Sequence, residues 1–186
     1  HQLHRRQRQM CIRDRKYKSK KFYFSSNLYY MNYKNQLVLT GALDDVGTPI
    51  RENSGKSYRK GIELETMLKA SNNFDISTNI SFSKNKNIDY KTNLNGEVTN
   101  WGDTDISFSP NLISSIAFNY STKKDFNISL LNKFVGDQYM SNTESVVSKL
   151  SSYSTTDLNF IYSFKKSKYF NEIIFTAMLN LSLIHI

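Results

Sequence analysis

The sequence predicts an all-β chain, an antiparallel up-and-down meander of about seven strands. Three observations predict it: apolar residues recur with a period of two, the gaps between those stretches alternate long and short, and aromatics are abundant. The 186 residues include 12 Tyr and 12 Phe against 7 Gly and 2 Pro, which excludes collagen-like, low-complexity and disordered classes. No uninterrupted apolar run approaches the roughly twenty residues of a membrane-spanning helix. A single cysteine excludes a disulfide framework.

The elements follow in order. In residues 22–33, Phe22, Phe24, Leu28 and Tyr30 share a face opposite Asn27 and Tyr29. In 57–70, Ile62, Leu64, Thr66 and Leu68 oppose Arg59, Gly61, Glu63, Glu65 and Met67; Gly61 argues against reading this stretch as a helix. Residues 74–84 give the purest pattern, with Phe74, Ile76, Thr78, Ile80 and Phe82 on one face and Asp75, Ser77, Asn79, Ser81 and Ser83 on the other. A helix would scatter those apolar residues around its circumference, whereas a strand gathers them. Weaker versions follow around Leu112–Ile116–Phe118–Tyr120, Phe126–Ile128–Leu130–Phe134, Leu158–Phe160–Tyr162–Phe164 and Ile173–Phe175–Ala177–Leu179.

The ends read differently. Residues 1–15 hold five Arg, one Asp, two of the three His and the only Cys, with no apolar period. This stretch resembles translated sequencing-adapter DNA, as does the tail LSLIHI at 181–186. The expected organisation is therefore a non-native, disordered extension over 1–15, a partial β-barrel domain over 16–180, and a non-native tail over 181–186. The competing reading of 1–15 is a basic arm for nucleic acid or a membrane surface. Residues 16–180 carry 20 basic and 15 acidic side chains, spread along the chain, so nucleic acid is not expected as a partner. They contain no His and no Cys, which removes Ser–His–Asp and Cys–His catalysis and His/Cys metal sites.

The connections carry the architecture. Stretches at 40–56, 85–108 and 137–150 are long, while 71–73, 121–125 and 165–169 are tight. Loops sorted by length to opposite rims are the pattern of a transmembrane β-barrel, here an open segment of one. A soluble sandwich has no reason to sort them so. Lipid offers no partner for backbone N–H and C=O groups, so spanning strands bond to neighbours and alternate apolar-out with polar-in. No Asp or Glu falls on the apolar face in mid-strand. Lys60 and Lys84 have apolar-face parity, but both sit at long-loop ends, where they extend to the interface.

Five stretches resemble the C-terminal barrel of TonB-dependent outer-membrane receptors: NLYYMNYKNQLVLTG (27–41), IRENSGKSYRKGIELE (50–65), FSPNLISS (108–115), FVGDQYMSNT (134–143) and YSTTDLNFIY (153–162). They occur in family order and span most of residues 16–180. The resemblance implies a larger barrel with a plug domain upstream, bacterial outer-membrane localisation, and energy-coupled uptake of a siderophore, vitamin or glycan. Its implied partners are TonB, the plug, outer-membrane lipid and the transported small molecule or glycan. It implies no enzyme, cofactor or resident metal. The sequence departs from the family after residue 180, where closing strands normally follow, and no ligand-contact residue carries over.

Among single residues, Trp101 in the 85–108 connection is a candidate ligand contact, set against plain loop packing. Arg59, with Glu63 and Glu65, is a candidate lumen residue, set against structural pairing. Asp44, Asp45 and Glu52 lack metal-loop spacing and read as a solvated loop. Tyr30 and Tyr58 toward the long loops, and Tyr120 toward the short turns, are expected to form an aromatic girdle. The rival function is a soluble extracellular β-sandwich that binds carbohydrate, which would bury Ile76, Ile80, Leu158 and Phe160 against a second sheet. An enzyme would need paired carboxylates, and none stands out.

Overall fold

The computed structural model describes residues 7–43, 45–53, 55–94, 97–122, 125–165 and 172–184. Its strands in chain order are β1 (Gln7–Lys18), β2 (Phe22–Lys34), β3 (Leu37–Leu43), β4 (Pro49–Asn53), β5 (Lys56–Lys69), β6 (Phe74–Leu94) and β7 (Glu97–Asp105). There follow β8 (Leu112–Ser121), β9 (Phe126–Val135), β10 (Gln138–Tyr139), β11 (Lys149–Leu150), β12 (Tyr153–Lys165) and β13 (Glu172–Ile184). One 3-10 turn, Val146–Ser148, precedes β11.

A nine-stranded antiparallel sheet runs β1-β2-β5-β6-β8-β9-β12-β13, with β7 pairing β6 beyond the end of β8. Each neighbour in space is the next main strand in sequence. Among the described residues the path does not return from β13 to β1, so the sheet is open. The turns β1–β2 and β5–β6 lie at one rim, where the β8–β9 and β12–β13 ladders also end, at Ser121–Asn127 and Lys165–Glu172. The long connections lie at the other and carry the small hairpins β3–β4 and β10–β11.

Register places the alternation on two continuous faces. Across one row Leu28 pairs with Ile62, Ile62 with Phe82 and Phe82 with Leu112. Further along, Phe118 pairs with Leu130, and Leu130 with Leu158, which pairs with Leu179. The opposite face carries Asn27, Glu63 and Ser81 in register. Period two makes any one-residue slip exchange the faces, so the side chains themselves fix this pairing.

Among the described residues nothing covers the apolar face. Ile76, Ile80 and Leu158 are half-buried and Phe160 is 38% exposed, without a second sheet packed over them among the described residues. The sandwich expectation therefore finds no support. The apolar side chains that are buried among the described residues, Tyr90 and Ile106, lie in the long-loop region.

Three stretches form more ladder than the hydrophobic pattern signals. Residues 7–15 all lie in β1, which pairs with β2 along twelve residues. Backbone hydrogen bonds are indifferent to side-chain pattern, so an edge strand forms without an apolar period. The pairing nevertheless puts Arg13 opposite Leu28 and Arg15 opposite Ser26, on the apolar face. Likewise residues 181–184 continue β13. Third, the 85–108 stretch is mostly ordered ladder, because β6 continues to Leu94 and folds back through β7. Beyond Lys84 both faces of β6 are largely polar (NKNIDYKTN), so hydrophobic period gives no signal there.

Candidate functional site

The polar face begins on β5, whose alternation puts Arg59, Glu63 and Glu65 on one side. Asn27 Nδ2 on β2 donates to Glu63 Oε2 at 3.1 Å. Arg59 Nη1 donates to Ser109 Oγ at 3.1 Å, tying the wall to the segment before β8. Ser83 Oγ donates to the Pro110 carbonyl at 3.0 Å, and Asn85 Nδ2 donates to Ser83 Oγ at 2.9 Å. A concavity of about 440 Å³ lies along this wall, bordered by Asp14, Asn27, Glu63, Glu65, Asn79 and Ser81. Between Arg59 and the glutamates, Gly61 makes room for the Tyr29 ring: a Cβ there would stand 2.6 Å from the Tyr29 hydroxyl and 2.5 Å from the Phe82 carbonyl oxygen. Glycine is required by close approach here.

Above the wall, the long connections are knitted together. Lys86 Nζ bonds to Asp105 Oδ1 and Glu144 Oε1, each at 2.9 Å. Glu144 Oε1 also accepts the Asp105 backbone N–H. Partial burial works against the Lys86 charge, but hydrogen bonds and attraction from Asp105 and Glu144 prevail, and its pKa is raised. Beside it the fully buried Asn87 donates through Nδ2 to Asn142 Oδ1 at 3.1 Å, and Ser107 N–H donates to the same oxygen at 2.9 Å. Phe108 N–H donates to the Tyr139 carbonyl at 2.8 Å. Lys86, Asn87, Asp105, Ser107 and Phe108 are thereby tied to Tyr139, Asn142 and Glu144. At the other connection, Ser57 Oγ donates to Gln36 Oε1 at 2.5 Å.

The expected site residues fall in different places. Arg59 lies on the polar wall. Trp101, on β7, is 45% exposed, and its Nε1 donates to Thr92 Oγ1 at 3.0 Å within the β6–β7 hairpin. Trp101 and Arg59 thus have separate partners. Tyr30 and Tyr58 stack at 6.4 Å with 21° between ring planes, on the apolar face toward the long loops, and Lys60 Nζ lies 5.5 Å from the Tyr58 centroid. Tyr120 pairs with Phe74 at the short-turn end of that face. Asp44 and the Glu52 side chain lie outside the described residues, and no group of three metal-ligating side chains forms among those described.

Sequence reasoning missed Lys86, Asn87, Asp105, Asn142 and Glu144. They are polar residues up to 58 positions apart, without any period or motif to link them. The nearest signal was the FVGDQYMSNT stretch, which contains Asn142.

A family model described as TonB dependent receptor-like, beta-barrel, matches residues 12–182. No curated protein sequence matches the chain. Among solved structures it is similar to the copper transporter OprC, with a TM-score of 0.62 and 13% identity over 84% of this chain and 22% of that one. The siderophore receptor PiuA from Acinetobacter baumannii gives 0.61 and 15%, covering 84% of this chain and 22% of that one. The ferric yersiniabactin uptake receptor FyuA from Yersinia pestis gives 0.60 and 10%, covering 95% and 30%. The chain spans less than a third of the length of each.

Proposed function

The chain belongs to the β-barrel of the TonB-dependent receptor family, and on that premise we propose that it forms part of the wall of an outer-membrane transporter that takes up a small chelated nutrient. The apolar band carries this reading. From Phe74 to Lys84 it runs ten residue steps, about 34 Å along the strand. At a tilt of about 35–45° that is about 24–28 Å of depth, against the ~25 Å apolar belt of outer-membrane barrels. Its limits are polar or aromatic: Tyr30, Tyr58, Lys60 and Lys84 at one end, Tyr120 at the other. Tyr suits headgroup depth because its ring is apolar and its hydroxyl polar.

The opposite face then looks into the lumen. Arg59 and Trp101 stand as candidate ligand contacts, Arg59 on the wall and Trp101 on the outer hairpin. The transported class is a ferric siderophore, in keeping with the iron-receptor neighbours, with vitamins and glycans as the other arms of a transport assay. Energy coupling would run through a plug domain and TonB, with no enzymatic step. The test is to express the gene with its native upstream region, fractionate the cells and measure uptake of a labelled ferric siderophore. Heat-modifiable protein in the outer membrane, with uptake lost when the proton gradient is collapsed, supports the reading. Recovery as a soluble cytoplasmic protein rejects it.

A further inference from the structure

The chain carries +9 overall, yet each of its three long connections is net acidic. Residues 40–56 hold two basic and three acidic side chains, 85–108 two and four, and 137–150 one and two. The tight connections at 121–125 and 165–169 have the opposite balance, with five lysines against one aspartate. The two rims therefore differ in sign.

On 85–108 and 137–150 every basic group is already engaged. Lys86 Nζ lies 2.9 Å from both Asp105 Oδ1 and Glu144 Oε1, Lys91 Nζ 2.7 Å from Asp89 Oδ2, and Lys149 Nζ 2.8 Å from Asp137 Oδ2. Neither stretch contains Arg or His. An anion arriving here meets only ammonium groups shared with a carboxylate, while Glu97 and Asp103 make no ion pair with a described residue. The same hairpin presents an aromatic surface. Its ladder pairs Tyr90 with Gly102 and Lys91 with Asn100, so Trp101 is the extra residue of a bulge, which re-aims its side chain. Gly102 takes a φ of 72° there, and the half-exposed indole is fixed by its Nε1 bond to Thr92. An indole face attracts a cation and offers nothing to an anion.

We infer that the long-connection rim selects its ligand by charge: it admits metal chelates of zero or positive net charge, an ammonium-bearing one best, and turns away polyanionic chelates. The inference rests on the uptake reading proposed above and adds the ligand's charge class to it. The summed field of the acidic connections slows the approach of an anion and favours a cation before any contact forms. Trp101 then receives the ammonium group on its ring face.

The experiment uses the full receptor, expressed with its upstream region in cells lacking other ferric-chelate receptors. Three labelled probes are compared: a ferric trihydroxamate bearing a free amine, its N-acetylated neutral form, and the trianionic ferric tris-catecholate. Initial uptake is expected to fall in that order, on the order of 10-fold from first to last, and the gap to narrow as ionic strength rises. D89N/D137N releases Lys91 and Lys149, both about half exposed. It is expected to bring tris-catecholate uptake to within about 3-fold of the amine-bearing probe, with heat-modifiable mobility confirming insertion. Uptake of none of the probes by the parent overturns the ferric-siderophore reading itself. Tris-catecholate uptake by the parent equal to or faster than that of the amine-bearing probe overturns the charge selection alone, as does an inserted D89N/D137N with the parent's gap unchanged.

Discussion

Ile80 and Ser81 are adjacent on β6 and point to opposite faces, so a charge placed at each tests which face meets lipid. Ile80 lies between Leu64 of β5 and Ser114 of β8 on the apolar face, four residues from Lys84. That is about 14 Å along the strand, or about 10 Å of depth at a 45° tilt. A guanidinium at position 80 reaches only part of that distance to headgroups. Ile80→Arg should therefore cost about 2–4 kcal/mol, the value for Arg near a barrel's midplane, a factor of roughly 30 to 1,000 in the folding equilibrium. Ser81→Arg, facing the wall beside Glu63, should cost under about 1 kcal/mol. The assay is urea titration of the full receptor in phosphatidylcholine vesicles, followed by heat-modifiable mobility. Equal midpoints for the two variants, or a lower one for Ser81→Arg, would refute the face assignment.

Other outcomes follow from the same geometry. Gly61→Val should cost about 1–3 kcal/mol of folding free energy, the range for overpacking, and so lower the urea midpoint, because its Cβ would meet both the Tyr29 hydroxyl and the Phe82 carbonyl. Asn142→Leu removes the acceptor of the Ser107 N–H and leaves the buried Asn87 amide only its longer 3.4 Å bond to Thr104 Oγ1, at a total of about 1–3 kcal/mol. Faster proteolysis of the 137–150 connection would report it. The Asp137 carboxyl is held below its ordinary value by its hydrogen bond with Lys149 and then by the Ser152 N–H. Its contribution is full above the unfolded value of about 3.9 and is lost as pH falls through the lower folded value. The protection factor of the Ser152 amide, with the intrinsic pH dependence of exchange divided out, should fall only in that acid window, and a fall between pH 5 and 8 would contradict it. Finally, an independent read of the gene should replace Arg13 and Arg15 with residues suited to an apolar face; finding both arginines there would count against the adapter reading of 1–15.

What the sequence discloses depends on whether a side chain has a face to choose. Residues 74–84 are legible because one face is oily and the other wet, and loop-length sorting is legible because turn composition marks it. Strand β1 is not legible: its backbone pairs with β2 whatever side chains it carries, and Arg13 and Arg15 obscure the period. The outer half of β6 is invisible for a related reason, since both of its faces are largely polar and the side chains it buries, Asn85, Asn87 and Tyr90, follow no apolar period. The Lys86–Asp105–Glu144 and Asn87–Asn142 contacts join separate polar stretches, which no local pattern connects. Gly61 illustrates a partial success: its residue type argues against a helix, but only the fold reveals the aromatic ring it accommodates.

The strict neighbour-to-neighbour order of the sheet has a consequence for how such walls enlarge or shrink. Every short-turn hairpin bonds only to the hairpins flanking it, so inserting or excising one changes the circumference by two strands and leaves every other register intact. A cylinder assembled this way acquires a wider or narrower bore by duplication of a single unit, with the parity of its rims preserved.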